Sequence, residues 1–257
     1  MKEDYVDFID LIKTRTGIDL AQYKEKQMKR RLTTLRDKRG FKDFVSYYNA
    51  LKMDDDLFHE FLDRMTINVS EFYRNSKRWE IFRNSILPSL MEGQRKLKIW
   101  SAACSTGEEP YTIAMILSDY YDLDNITIHA TDIDTHAIDR AKNGVYPERS
   151  LKEVPEDKKK AFFNKNGAFY EISDQIKKCV NYSKHNLLAD SYESSYDLIV
   201  CRNVLIYFTE EAKNNVYANF ANALRKDGVL FVGSTEQIFH PQSLNLEVPE
   251  TFFYRKK

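Results

Sequence analysis

The chain has 257 residues, and its 39 Lys plus Arg balance 39 Asp plus Glu, so overall charge selects neither an acidic nor a basic partner. A 42% hydrophobic content with 16 Phe, 16 Tyr and 2 Trp is ample core material and argues against wholesale disorder. Cys104, Cys179 and Cys201 lie far apart with no CxxC pair, which argues against a disulfide framework or a zinc site and for reduced thiols in the cytoplasm.

Met1-Lys2-Glu3-Asp4 opens a charged segment rather than a signal peptide, and no apolar run approaches the ~18 residues of a membrane span. The first ~75 residues are helical by period. Tyr5, Phe8, Ile9, Leu11 and Ile12 predict a short amphipathic helix ending near Gly17. A second helix is expected from about Leu20 to Arg39, closed by Gly40. Between Ala21 and Arg39 it carries eight basic residues against Glu25 and Asp37. Met28, Leu32 and Leu35 form one side, with Lys26, Lys29, Arg30 and Arg36 spread over the rest. Such a run is either a solvated face or a surface for nucleic acid, anionic lipid or an acidic protein helix. Phe44, Tyr47, Tyr48 and Leu51 mark a third helix, and Leu57, Phe58, Phe61, Leu62 and Met65 a fourth from Asp54.

The helical grammar ends at Thr66-Ile67-Asn68-Val69-Ser70-Glu71-Phe72-Tyr73-Arg74. Asn68, Ser70 and Arg74 stand as polar groups in an apolar run: an interdomain loop, or a linker aiming them into a crevice at a sheet's edge. After Trp79 strand-like runs alternate with helix-like ones: 97–103 then 110–121, 126–131 then 135–143, 196–201 then 210–224, and 229–233. That alternation predicts a largely parallel sheet covered by helices. Asn245–Val248 and Thr251–Arg255 flank Pro249-Glu250 and predict an antiparallel strand at the sheet's edge. The lysine-rich helix 156–163 and the aromatic segment around Phe169-Tyr170-Glu171-Ile172 interrupt the alternation, so 146–182 reads as an inserted subdomain.

The densest segment is Trp100-Ser101-Ala102-Ala103-Cys104-Ser105-Thr106-Gly107-Glu108-Glu109-Pro110-Tyr111. It predicts a buried strand, a tight turn and a helix start with Pro where a missing N–H costs nothing. In open α/β sheets ligands sit in that crevice. Two glutamates there are wrong for a phosphate and suit a ligand with hydroxyls or positive charge. Asp132 ends the next strand, where an acid either accepts from ribose hydroxyls or merely caps, and Asp134 reads as a helix cap. Gly107 is the only glycine of the turn, which disfavours a pyrophosphate and with it a nicotinamide dehydrogenase. A cationic nucleoside without phosphates fits better: S-adenosylmethionine, with its amino-acid end near Ala102 and Gly107. Asn186 ends another probable strand and reads an adenine edge or starts a turn. Arg202 and Asn203 follow the apolar run Tyr196–Cys201, where Arg202 fixes a carboxylate or caps carbonyls; Tyr207 is a site residue or a core aromatic. No two of the five histidines stand at ligand spacing, so no metal is expected.

Together INVSEFYR (67–74), WSAACSTGEEPY (100–111), ATDIDTHAIDRAKNGVY (130–146), HNLL (185–188) and CRNVLIYF (201–208) resemble the chemoreceptor glutamate O-methyltransferases of bacterial chemotaxis, the CheR family. The resemblance covers nearly the whole chain in order. It implies an α/β fold of the class I S-adenosylmethionine-dependent methyltransferase type, a Rossmann-like sheet with an antiparallel edge strand. It further implies an all-α N-terminal domain over 1–66, a linker over 67–79, and a methyltransferase domain over 80–257 with a small inserted β-subdomain. By motif position the family's cofactor contacts fall on Asn68, Ser70, Arg74, Glu109, Asp132, Asn186, Leu187, Arg202 and Asn203, with Glu108 adjacent to Glu109. Arg74 and Tyr207 would lie nearest the transferred methyl group. The basic helix, through Lys26, Lys29, Arg30 and Arg36, would grip the acidic methylation helices of a cytoplasmic receptor domain. Ser70, Tyr73 and Cys104 depart from commoner threonine, phenylalanine and alanine.

The reaction implied is attack of a glutamate carboxylate on the sulfonium methyl, releasing S-adenosylhomocysteine; neither nucleic acid nor membrane insertion is expected, and a monomer is the default, since the sequence gives no oligomeric state. A nucleic-acid methyltransferase and a non-catalytic S-adenosylmethionine-binding module are the alternatives.

Overall fold

The computed structural model describes residues 4–66, 68–93 and 96–257. The motif residue Ile67 and the leading Met1, Lys2 and Glu3 lie outside the described residues. The chain divides into two compact units, one of residues up to Asn68 with Leu205–Val216, the other of Val69–Val204 with Tyr217–Lys257.

The first unit is helical: Asp4–Thr16, Glu25–Lys38, Phe44–Met53 and Asp55–Thr66. Its core is aromatic, with Phe8 4.8 Å from Phe44 and 5.8 Å from Phe61 between ring centroids. The expected helix from Leu20 to Arg39 is broken. A 3-10 turn covers Leu20–Gln22, Tyr23 and Lys24 are extended, and the α-helix begins at Glu25. The segment around Tyr207 causes the break. The Tyr207 carbonyl takes the Lys24 N–H at 2.8 Å, and Thr209 N–H donates to the Gln22 carbonyl at 2.8 Å. These bonds replace helical partners of the same backbone groups, so the helix starts one turn later.

Among the described residues the second unit has the strands β1 Ile99–Ala102, β2 Ile128–Asp132, β3 Val145–Pro147, β4 Phe163–Asn166, β5 Phe169–Ile172, β6 Val180–Lys184, β7 Tyr196–Cys201, β8 Leu224–Val232, β9 Leu246–Glu250 and β10 Phe253–Lys256. Seven form one sheet in the order β6-β2-β1-β7-β8-β10-β9. β6, β2, β1, β7 and β8 run parallel, and β10 pairs antiparallel with both β8 and β9. All six residues of β7 are buried, as expected of a central parallel strand covered on both faces. Strand order reverses between β1 and β7, and that switch point opens the crevice at their carboxyl ends.

β3, β5 and β4 make a separate antiparallel sheet. Val180–Lys184, whose first half the sequence reading placed in the insertion, is instead the edge strand of the large sheet. Ser76–Ile81, Phe82–Ile86 and Leu87–Met91 continue one another as α, π and α turns. Pro88 lacks the N–H that would close an ordinary turn, and the Leu87 N–H reaches back to Phe82. Among the described residues no helix is long and apolar enough to cross a membrane.

Candidate cofactor site and its carboxylates

β1 ends at buried Ala102, and the chain turns through Ala103 (φ 60°), Ser105 (φ 48°) and Gly107 (φ 92°) into the helix Glu108–Leu117. Left-handed backbone at two non-glycine residues costs about 1–2 kcal/mol each. Backbone bonds hold it in place: Cys104 N–H donates to the Thr131 carbonyl at 2.9 Å, and Gly107 N–H to the Cys104 carbonyl at 3.0 Å. Gly107 has a steric reason as well. A Cβ there would stand 2.7 Å from Tyr182 Oη and 2.8 Å from Ala141 Cβ. Gly107→Ala should therefore lower stability by about 2–4 kcal/mol, from overpacking added to left-handed strain, readable in urea unfolding.

Asp132, at the end of β2, spans two turns. Its Oδ2 accepts the Ser105 N–H at 2.8 Å and its Oδ1 the Asp134 N–H at 2.9 Å. Burial pushes its carboxyl up to about 6, although these N–H groups favour the charge. Asp134 caps the next helix through the His136 and Ala137 N–H groups, as its position predicts.

Glu108 and Glu109 separate cleanly. The Glu108 carboxylate accepts from Thr106 Oγ1 at 2.6 Å and is hydrogen-bonded to Ser70, so it ties the linker segment to the turn. Glu109 lies between β1 and β7: Oε1 accepts from Ser101 Oγ at 2.9 Å, and Oε2 is 3.8 Å from Arg202 Nη1. Burial pushes Glu109 up to about 7, opposed by the charge of Arg202, the hydroxyl of Ser101 and the charge of Arg74.

Arg202 is buried between aromatic faces, 4.8 Å from the Phe231 centroid and 5.1 Å from that of Trp79. Its Nη2 donates to the Arg74 carbonyl at 2.7 Å and to Asn75 Oδ1 at 3.2 Å. Arg202 thus caps a carbonyl and faces a carboxylate at once. Its Nε is buried without a hydrogen-bond partner among the described residues. Arg74 Nη1 donates to the Val69 carbonyl at 3.0 Å.

Asn203 (φ 64°) gives its N–H to Glu236 Oε2 at 2.6 Å, and the Gly233 N–H reaches the same oxygen at 2.8 Å. Buried Glu236 therefore fixes the ends of β7 and β8 together, and sequence reasoning missed it. Its signal was an acid three residues past Gly233 at a strand's end. Asn186 accepts the Leu188 N–H on its side-chain oxygen at 3.0 Å, and the buried Leu187 presents its carbonyl to Tyr192 Oη at 2.8 Å.

The second unit thus brings together Ser70, Arg74, Glu108, Glu109, Asp132, Arg202 and Asn203. Asn68, Tyr207 and the basic helix belong to the first unit. There Asn68 Nδ2 donates to Thr66 Oγ1 at 3.1 Å. Lys26 and Arg30 are exposed, whereas Lys29 lies 5.4 Å from the Tyr5 ring and Arg36 4.6 Å from that of Phe44. Arg31, which sequence reasoning did not single out, holds its guanidinium 5.5 Å from the Tyr207 ring.

Buried acceptors, one arginine whose Nε is unsatisfied, and a turn with a single glycine fit a cationic nucleoside with hydroxyls and an amino-acid end. They offer no anion cradle. A family profile described as "CheR methyltransferase, SAM binding domain" matches residues 68–252, and one described as "CheR methyltransferase, all-alpha domain" matches residues 3–66. A chemotaxis protein methyltransferase of Listeria monocytogenes is 43% identical over 257 residues, covering 100% of this chain and 98% of the relative. One of Borreliella burgdorferi is 34% identical over 265 residues, covering 98% of this chain and 94% of the relative. One of Escherichia coli K12 is 31% identical over 244 residues, covering 90% and 82%.

Proposed function

This chain belongs to the CheR methyltransferase family, whose cofactor is S-adenosylmethionine, and from that premise we propose that it methylates glutamate side-chain carboxylates of chemoreceptors in the cytoplasm, forming methyl esters. The observation that carries the reading is the acid-lined switch point, Asp132 and Glu109 with Arg202, in a chain similar over its whole length to proteins named chemotaxis protein methyltransferases. Residues 1–66 would serve the receptor, 67–79 would link, and 80–257 would carry the reaction.

The bound cofactor supplies an electrophilic methyl group on a sulfonium. Protein residues supply binding and orientation. Glu109 and Asp132 present carboxylates to a cationic, hydroxyl-bearing ligand, and Arg202 with Asn203 closes the β7 side. The receptor glutamate has an ordinary pKa of ~4.3 and is ionised at neutral pH, so no general base is needed. Arg74 orients that carboxylate, and Tyr207 holds its second oxygen. Exposed Lys26 and Arg30, with Lys29 and Arg36, attract an acidic receptor helix; this attraction weakens with salt.

Methyl-labelled cofactor and a receptor cytoplasmic fragment test the reading. Label released by base as methanol is the expected result, and base-stable label or label on nucleic acid refutes it. Arg74→Ala and Tyr207→Phe should each lower turnover by about 10- to 100-fold, the worth of a hydrogen bond to a charged group. If both leave turnover intact, the assigned roles are wrong.

A further inference from the structure

The segment that follows Arg74 is used on both faces. In the helix Ser76–Ile81, Trp79 is buried in the core of the second unit, and buried Phe82 follows it. The opposite face, with Lys77, Arg78 and Ile81, lines an open cleft of about 720 Å³. Arg74 and Asn75, which meet Arg202 at the candidate cofactor site, also line it, and so does Ser234, which follows Gly233 in sequence. Such a volume is that of a ligand pocket and far exceeds the room one carboxylate side chain fills.

The charge of the cleft is specific. Arg74, Lys77 and Arg78 face it with Glu71 and Glu153, a surplus of a single positive charge. That surplus suits another carboxylate better than a multiply charged phosphate. Arg78 is pre-positioned, its guanidinium 4.6 Å from the Phe252 ring centroid, while Lys77 is exposed. Ile81 gives the cleft an apolar patch for the methylene stem of a long acidic side chain.

We propose that this cleft is a second carboxylate subsite, in which Lys77 and Arg78 receive an acidic side chain of the substrate near the glutamate held by Arg74. The inference rests on the methyl-transfer reading above and deepens it, because it makes the sequence around the target a determinant of which glutamates are methylated. On a substrate helix, residues three or four apart share a face with about 5–6 Å between their Cβ atoms, so one acid at Arg74 brings the other to the neighbouring cations.

Initial rates with receptor fragments test this. In one set the acidic residues flanking a methylated glutamate are kept; in the other they are changed to glutamine. Lys77→Glu should lower kcat/KM on the acidic set by about fivefold or more, mostly through KM, and leave the neutral set nearly unchanged. Arg78→Gln should act in the same direction, and a flanking lysine should restore rate to Lys77→Glu. Cofactor affinity should stay at the wild-type value, which separates the effect from misfolding. Equal losses on both sets, or no loss on either, overturn the subsite while the wild-type label stands. No base-labile label from the wild-type chain on any fragment overturns the methyl-transfer reading, and the subsite with it.

Discussion

Replacing Arg202 with methionine is expected to destabilise the chain by about 3–5 kcal/mol, the usual cost of removing one partner from a buried charge pair. Methionine fills the space between Phe231 and Trp79 but donates no hydrogen bonds. The Arg74 carbonyl and Asn75 Oδ1 lose their donor, and Glu109 loses the cation 3.8 Å away. A chain of this size should lose roughly 10 °C in Tm. Methyl transfer should fall further than stability explains, because the released carbonyl is that of Arg74 itself. Arg202→Lys should recover the charge but not the two-pronged contact to residues 74 and 75. Unchanged Tm and cofactor affinity in Arg202→Met would show that the guanidinium is incidental.

The second large effect concerns pH. Glu109 is pushed up to about 7 and Asp132 to about 6, in both cases chiefly by burial. Below about pH 3 these groups are protonated whether the chain is folded or not, so they contribute no pH dependence there. Between that point and their folded values the folded chain holds protons that the unfolded chain has released. Stability therefore falls as pH rises from about 4.5 to 7, then levels off. Glu109 alone accounts for a loss on the order of 3 kcal/mol. Glu109→Gln keeps an acceptor for Ser101 without the titration, so its stability should decline less than that of the wild type over that interval.

Cofactor binding should run the other way. The ionised carboxylates attract the sulfonium and ammonium charges, so affinity for S-adenosylmethionine should rise with pH by up to about tenfold per unit through this range. The uncharged sulfur of S-adenosylhomocysteine should show a shallower rise. Calorimetry at several pH values measures both, and a Glu109→Gln chain with wild-type pH profiles for stability and cofactor binding would contradict the account.

Together these expectations describe a site whose acids are held at a cost to the free protein. Arg202 and Ser101 reduce that cost for Glu109, and the backbone N–H groups of Asp134, Ser105 and Ile133 reduce it for Asp132. A cationic ligand offsets the remainder, which is why the same residues weaken the empty fold and favour the bound one.

The sequence alone determined the local grammar of the fold. Helix 135–143 and strand 196–201 were legible to the residue, because Asp134 and Gly144 punctuate the first and an unbroken apolar run defines the second. The turn at Gly107, with acids where a phosphate loop would have glycines, was legible as chemistry. Tertiary partners decided the rest. The break at Tyr23-Lys24 depends on backbone groups of Tyr207 and Thr209, almost 190 residues away. Val180–Lys184 became an edge strand because β2 offered it a parallel partner, which no local pattern announces. Glu108 and Glu109 are adjacent and chemically identical in sequence. Their side chains leave the helix about 100° apart, so one meets Thr106 and Ser70 and the other meets Ser101 and Arg202. Sequence placed two acids at a crevice; only the packing of β1 against β7 decided which of them faces the buried arginine.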